Sequence, residues 1–194
     1  MTRAGHTLEP AYFDAVYASD PDPWKFASSA YERDKYAITL AALPQSRYVS
    51  ALGIGCAIGV LTEELASRCD RLLAIDAART PLKEARRRCA ELSTVRFEQM
   101  FVPEQWPDGA FDLILLSEIV YYLSADDVVR LASRVSASLA SEGNVVLVHW
   151  TGETDYPLTG DEAAELFITC MDQTMLAERR DRHHAFRLDV LACR

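Results

Sequence analysis

Gly55 and Gly59 follow an apolar run in the stretch SALGIGCAIGVL, residues 50–61. Glycine where a strand stops and a helix is about to begin serves either a tight turn or a ligand lying against bare backbone. Asp76 ends the next apolar run, RLLAID at 71–76. An acid about 20 residues beyond a glycine turn stands where one carboxylate can accept both hydroxyls of a ribose. Strand, glycine turn, helix and downstream acid together read as a nucleoside site. The dinucleotide pattern G-x-G-x-x-G does not fit, because its third glycine, counted from Gly53, falls on Ile58.

These residues need a scaffold, and the hydrophobic pattern supplies one. The first 28 residues, rich in Asp and Pro, read as irregular. A helix is predicted over 29–43, opened by a Ser29/Glu32 capping box and stopped by Pro44. Strands are predicted at 47–54, 71–76, 95–100, 110–117 and 144–150, alternating with helices at 60–67, 80–92 and 126–139. Thr80 and Pro81 open the second of those helices, which leaves Asp76 without a helix-capping duty. A helix at 161–170 precedes two strands, 174–180 and 185–193, joined by a turn short enough to make them antiparallel. The pattern is α/β, with helices on both faces of a mostly parallel sheet.

Composition narrows the function classes. The chain of 194 residues carries 29 acidic and 20 basic side chains, a net charge of −9 that disfavours nucleic-acid or anionic-lipid partners. No apolar run is long enough to span a membrane, and the first twenty residues lack a signal-peptide pattern, so a cytoplasmic location is expected. Five cysteines without a C-x-x-C pair give neither a disulfide framework nor a metal site, and Cys56 in the glycine turn reads as a small buried residue.

Read from Gly55, the turn is G-x-A-x-G: Gly55, Cys56, Ala57, Ile58, Gly59. It resembles motif I of the class I S-adenosylmethionine-dependent methyltransferases, usually D/E-x-G-x-G-x-G. That resemblance implies a single-domain, Rossmann-like, seven-stranded sheet over 29–194, the seventh strand antiparallel between the fifth and sixth, with 1–28 as an N-terminal cap. It implies S-adenosylmethionine as cofactor and S-adenosylhomocysteine as product, held by Gly55, Cys56, Ala57, Gly59, Asp76, Ala77, Phe101, Ser117 and Tyr31. Gly53 stands where the motif usually has its acid, Ala57 replaces the second glycine, and Phe101 occupies the place of an aspartate that often faces the adenine amine.

Two further segments, DPWKFASSAYERDKY at 22–36 and SEIVYYL at 117–123, resemble the NodS-type methyltransferases, which N-methylate a free amine of a chitooligosaccharide. Trp24, Tyr31, Glu32 and Tyr36 carry the first match; Ser117, Glu118, Tyr121 and Tyr122 carry the second. Methyl transfer to an amine needs the amine neutral, so a carboxylate or imidazole is expected to take its proton. The resemblance points to Glu118 first, whose rival role is a helix-start acid, and to His149 second, whose rival role is structural. Trp24, Tyr121, Tyr122, Asp155 and Tyr156 are the candidate acceptor-binding residues. The expected acceptor is a small molecule or oligosaccharide, with an amino sugar preferred and a hydroxyl or carboxylate acceptor as the nearest rival. A non-catalytic S-adenosylmethionine or nucleoside sensor and an NAD-dependent oxidoreductase stay open, the latter disfavoured by Ile58 and the terminal hairpin.

Overall fold

The computed structural model describes residues 3–194. In chain order the elements are α1 (Pro10–Ser19), α2 (Ala30–Ala42), β1 (Ala51–Ile54), α3 (Val60–Leu65), β2 (Leu72–Asp76), α4 (Arg79–Arg88), β3 (Val95–Gln99), β4 (Phe111–Ser117), α5 (Ala125–Ser138), β5 (Leu139–Trp150), α6 (Gly160–Met171), β6 (Met175–Arg182) and β7 (Phe186–Cys193). The strands form one sheet in the order β3-β2-β1-β4-β5-β7-β6. β7 runs antiparallel to both of its neighbours, as the terminal hairpin pattern leads one to expect. The chain divides into two compact units, Glu9–Phe101 and Met1–Leu8 with Val102–Arg194.

In the Glu9–Phe101 unit, β1, β2 and β3 pair in parallel, with Gly53 opposite Ala74 and Asp76 opposite Gln99. β1 is shorter than predicted: Tyr48 makes only an isolated bridge to Cys69, and the ladder starts at Ala51. α4 begins at Arg79 with Ala78 at its N-cap, so Thr80 and Pro81 lie inside the first turn and not at its start. The stretch 1–28 is not irregular throughout, because α1 occupies Pro10–Ser19. Proline at the first helical position, with Phe13 and Tyr17 one turn apart, was the available signal. The capping box at Ser29 does not form either. Glu32 instead holds Lys35 at 2.9 Å, the two side chains only 8% and 2% exposed. A buried ammonium needs its counter-ion more than a helix end needs a cap that water can replace.

In the second unit, β4 and the end of β5 are buried on both faces: Leu113, Ile114, Leu116, Val145, Val146 and Leu147 have no exposed surface. Uninterrupted apolar runs are what a doubly covered strand requires. β5 starts earlier than predicted, pairing Leu139 with Phe111 before a register shift carries Asn144 to Leu113. Ser124 caps α5, and a capping box opens α6, where Thr159 Oγ1 accepts the Glu162 N–H at 3.1 Å and Glu162 Oε2 accepts the Thr159 N–H at 2.8 Å. On β7, the side chains of Arg187 and Asp189 are buried and paired at 2.8 Å, and Arg187 also reaches Asp161 and Glu165 of α6. That network ties α6 to the terminal hairpin.

Gly59 shows why the turn after β1 is bare. Its φ is +82°, and a Cβ there would lie 2.9 Å from Ala85 Cα and 3.0 Å from Ala85 Cβ. The space is taken by α4, so helix packing alone forbids a side chain. Gly59→Ala is therefore expected to cost about 2–4 kcal/mol, left-handed strain plus overpacking, in a urea unfolding titration. A loss below about 0.5 kcal/mol would mean that the two helices separate freely.

Candidate active site

The chain between β1 and α3 turns on left-handed residues. Gly55, Ala57 and Gly59 have φ of 81°, 47° and 82°. Only glycine adopts that region without penalty, and Ala57 sits there at a cost of about 1–2 kcal/mol. Asp76 offsets it. Its Oδ2 accepts the Ala57 N–H at 2.8 Å and its Oδ1 accepts the Ala78 N–H at 2.9 Å. The N–H groups of Gly55 and Cys56 both reach the Ile75 carbonyl, at 2.9 and 3.1 Å, so the turn is laced onto the end of β2. Asp76 thus serves the start of α4 after all, while Asp14 of α1 accepts the Arg79 N–H at 3.2 Å. Burial pushes the Asp76 carboxyl up to about 6, against the pull of those N–H donors.

Around this turn the other nucleoside-site candidates take definite places. The Ala77 carbonyl accepts from Gln99 Nε2 at 3.0 Å. Phe101 is half-buried two residues beyond β3. Tyr31 lies on α2 with Lys35 Nζ 5.3 Å from its ring centre. Cys56 is a poor nucleophile, its thiol pushed well above the usual range by burial and by Asp76. At Gly53 a Cβ would meet only Leu72 Cδ1 at 4.0 Å, so the missing acid is not excluded by space.

Of the residues that cover the turn, sequence reasoning named Trp24 and missed Phe13, Tyr17 and Phe26. Tyr17, 5% exposed, packs with Ile58 and Ala78, and Phe13, Trp24, Phe26, Ala57 and Val60 join the cluster. The Trp24 ring meets Tyr17 edge-on at 5.5 Å and stacks on Phe26 at 5.6 Å. Trp24 is therefore packed against the glycine turn of its own unit. The Tyr17 hydroxyl is pushed up by burial and by the nearby Asp76.

The second unit gathers a different set. Ser117 closes β4, paired with Val148 of β5. Glu118 follows with φ +59°, a left-handed conformation that a glutamate holds only where its surroundings fix it. Its N–H reaches the Val148 carbonyl at 2.8 Å, and its Oε2 accepts from the Trp150 N–H at 2.8 Å and from Tyr121 Oη at 2.6 Å. His149 is fully buried, and its Nε2 accepts the Val120 N–H at 3.2 Å, which fixes the neutral tautomer with its proton on Nδ1. Tyr121 lies edge-on to His149 and stacked on Tyr156 at 5.3 Å, and Tyr122 meets both tyrosines edge-on at 4.6 Å. Asp155 is exposed; its carbonyl accepts the Ala4 N–H at 3.0 Å. Gly160 ends this loop hard against the Trp150 carbonyl, so the loop is anchored beside Glu118's own partner.

A strained carboxylate under two donors, a neutral imidazole and three tyrosines make an anionic, aromatic-lined centre. Known proteins carry the same order of elements. The model of the Nodulation protein S (NodS) family matches residues 16–150. The chain belongs to that family. Nodulation protein S of Sinorhizobium fredii is 33% identical over 127 residues, covering 64% of this chain and 59% of the relative. The chain thus spans about three-fifths of the length of that curated relative. A Pseudomonas syringae protein assigned as a methyltransferase is 36% identical, with a TM-score of 0.73 over 84% of this chain and 99% of that one. The N-methyltransferase NodS of Bradyrhizobium japonicum, solved with S-adenosyl-L-homocysteine, superposes with a TM-score of 0.82 over 96% of this chain and 99% of its own at 22% identity, a likeness of fold. Membership in the NodS family agrees with the two segments that carried the resemblance, 22–36 and 117–123. Among the described residues no group of side chains could hold a metal ion, and no helix is long and apolar enough to cross a membrane.

Proposed function

We propose that this NodS-family protein transfers the methyl group of S-adenosylmethionine to a free amine of a small acceptor, an amino sugar or amino-bearing oligosaccharide. The observation that carries the reading is Asp76: a half-buried carboxylate, bonded to the N–H groups on either side, at the glycine turn where a ribose would rest. The methyl donor brings an electrophile already activated for displacement. What remains for the chain is to hold, orient and deprotonate.

Asp76 accepts the ribose hydroxyls, while Gly55, Cys56, Ala57 and Gly59 offer backbone to the amino-acid tail. Ala77, Phe101, Tyr31 and Ser117 are assigned to the remainder of the donor. Glu118 attracts the acceptor as an ammonium, takes its proton and leaves the amine lone pair ready to attack. Tyr121, Tyr122 and Tyr156, with Asp155, are assigned to the sugar, and Trp24, packed over the glycine turn, covers the donor side. The bond from the Val120 N–H to His149 Nε2 supports a positioning role for His149 beneath Tyr121.

The test is transfer of a labelled methyl group to a glucosamine oligomer with one free amine. Transfer that disappears when the amine is acetylated is the expected result; transfer to a hydroxyl or carboxylate compound alone would overturn the acceptor.

Asp76 also sets a pH dependence. Its carboxyl titrates at about 6 in the folded chain against 3.8 in a free aspartate. The cost of holding it ionised is present above about pH 6 and is relieved as pH falls through that value. Ribose binding needs the ionised form, so S-adenosylhomocysteine is expected to bind about tenfold more weakly at pH 5 than at pH 7.5, with proton uptake into the free protein. Calorimetry at the two pH values checks it, and equal affinities would show that Asp76 is not the ribose partner.

A further inference from the structure

Trp150 closes β5 at the carboxyl end of the parallel strands, the end where an open α/β sheet meets its ligands. Its backbone N–H donates to Glu118 Oε2 at 2.8 Å, so the residue that anchors the carboxylate also carries an indole. That indole is seated on a glycine: a Cβ at residue 152 would overlap its Nε1, Cε2 and Cζ2. The strand end beside it is fixed as well. Phe186 of β7 stands directly opposite Trp150, on the same face of the sheet, and is buried. His183 stacks on Phe186 at 4.3 Å, and the Thr151 N–H reaches the Ala185 carbonyl at 2.9 Å. Trp150 nevertheless stays 37% exposed, against 5% for Tyr121, whose hydroxyl also donates to Glu118 Oε2.

We propose that Trp150 is the platform on which the acceptor's sugar ring lies, and that it selects a saccharide amine over an open-chain amine. The proposal rests on the reading of Glu118 as the group that receives the acceptor's amine. A lone exposed aromatic is ordinary protein surface. This one is held along one edge by Gly152 and shares a residue with the donor that fixes Glu118, so its open surface adjoins the carboxylate. A pyranose presents C–H groups on its faces and hydroxyls at its rim. It gains from an apolar, π-rich plane beneath it while its rim stays in water. A straight-chain amine reaches Glu118 equally well but has no face to lay on the indole.

Replacing the indole leaves the backbone N–H that holds Glu118, so the ring is tested apart from the carboxylate. Trp150→Ala removes the platform and Trp150→Phe keeps a smaller one. The ratio of kcat/KM between a glucosamine disaccharide and a straight-chain amine is expected to fall about tenfold in Trp150→Ala, mostly through KM, and less than about threefold in Trp150→Phe. A ratio unchanged in Trp150→Ala overturns the platform. Binding is read without methyl transfer from the indole N–H signals in nuclear magnetic resonance of isotope-labelled protein. The three tryptophans give three signals, and the one missing from Trp150→Phe belongs to Trp150. The titrant is the disaccharide of N-acetylglucosamine, which has no free amine. The Trp150 signal is expected to move, and a titration that leaves it in place overturns the platform. If it moves while no sugar amine is methylated, the acceptor reading fails and the platform stands. If a sugar amine is methylated while the signal and the ratio stay put, the platform fails and the acceptor reading stands.

Discussion

Asp76→Asn is expected to fold like the parent and to bind S-adenosylhomocysteine about 100-fold more weakly or worse, a loss of about 3 kcal/mol. The amide keeps the size of the carboxylate and removes its charge. It accepts at one oxygen only, whereas the carboxylate accepts from Ala57 and Ala78 and still has lone pairs for two ribose hydroxyls. Its amide nitrogen must face one of those N–H groups, so the left-handed Ala57 turn loses a tie at the same time. The melting temperature is expected to move little, because burial already works against the ionised Asp76. Calorimetric titration of both proteins at pH 7.5 checks the binding, and an affinity within about threefold of the parent would remove Asp76 from the site.

Glu118→Gln is the second large effect. The expected outcome is a fall of about 100-fold or more in kcat for methyl transfer to an amine, with S-adenosylhomocysteine affinity unchanged within about twofold. Gln keeps an oxygen for the Trp150 N–H, so the strained backbone at residue 118 retains its main anchor. What disappears is the ability to attract an ammonium and accept its proton. The rate of the parent is expected to decline towards acid while the residual rate of Glu118→Gln follows only the acceptor's own ionisation. Equal kcat for the two proteins at saturating acceptor would assign deprotonation elsewhere. His149 would be a poor second choice, buried as it is with Nε2 bonded to Val120.

Much of this frame is legible in the residues. Doubly buried strands announce themselves as apolar runs, so β4 and the end of β5 were readable, and the short polar turn before β7 forced the antiparallel hairpin. The family resemblance placed β7 between β5 and β6. Local signals with several solutions were less dependable. Ser29 and Glu32 have capping-box spacing, but Lys35 one turn on captures the carboxylate once both are buried. The working box lies at Thr159 and Glu162, with the same spacing. Thr80 and Pro81 make a good helix start on paper, yet α4 begins earlier because Asp76 and Asp14 supply acceptors for Ala78 and Arg79.

The site divides in the same way. Glycine spacing and the downstream acid pointed to 55–59 and Asp76, but the reason for Gly59 is the approach of Ala85 on α4, invisible without the packing. The aromatic cover from α1 was hidden because Asp and Pro at 20–23 made the whole segment look irregular. The family resemblance of the 117–123 segment is the sequence signal at Glu118. Its left-handed backbone and the convergence of Trp150 and Tyr121 on one oxygen belong to the folded chain, since these partners are remote in sequence or set by a turn.

The most direct trial is a crystal structure with S-adenosylhomocysteine. The ribose hydroxyls are predicted to lie within hydrogen-bond reach of both Asp76 oxygens, about 2.5–3.0 Å, with the amino-acid tail along the backbone of 55–59. A nucleoside bound elsewhere, or an Asp76 carboxylate turned away from the sugar, would contradict the account.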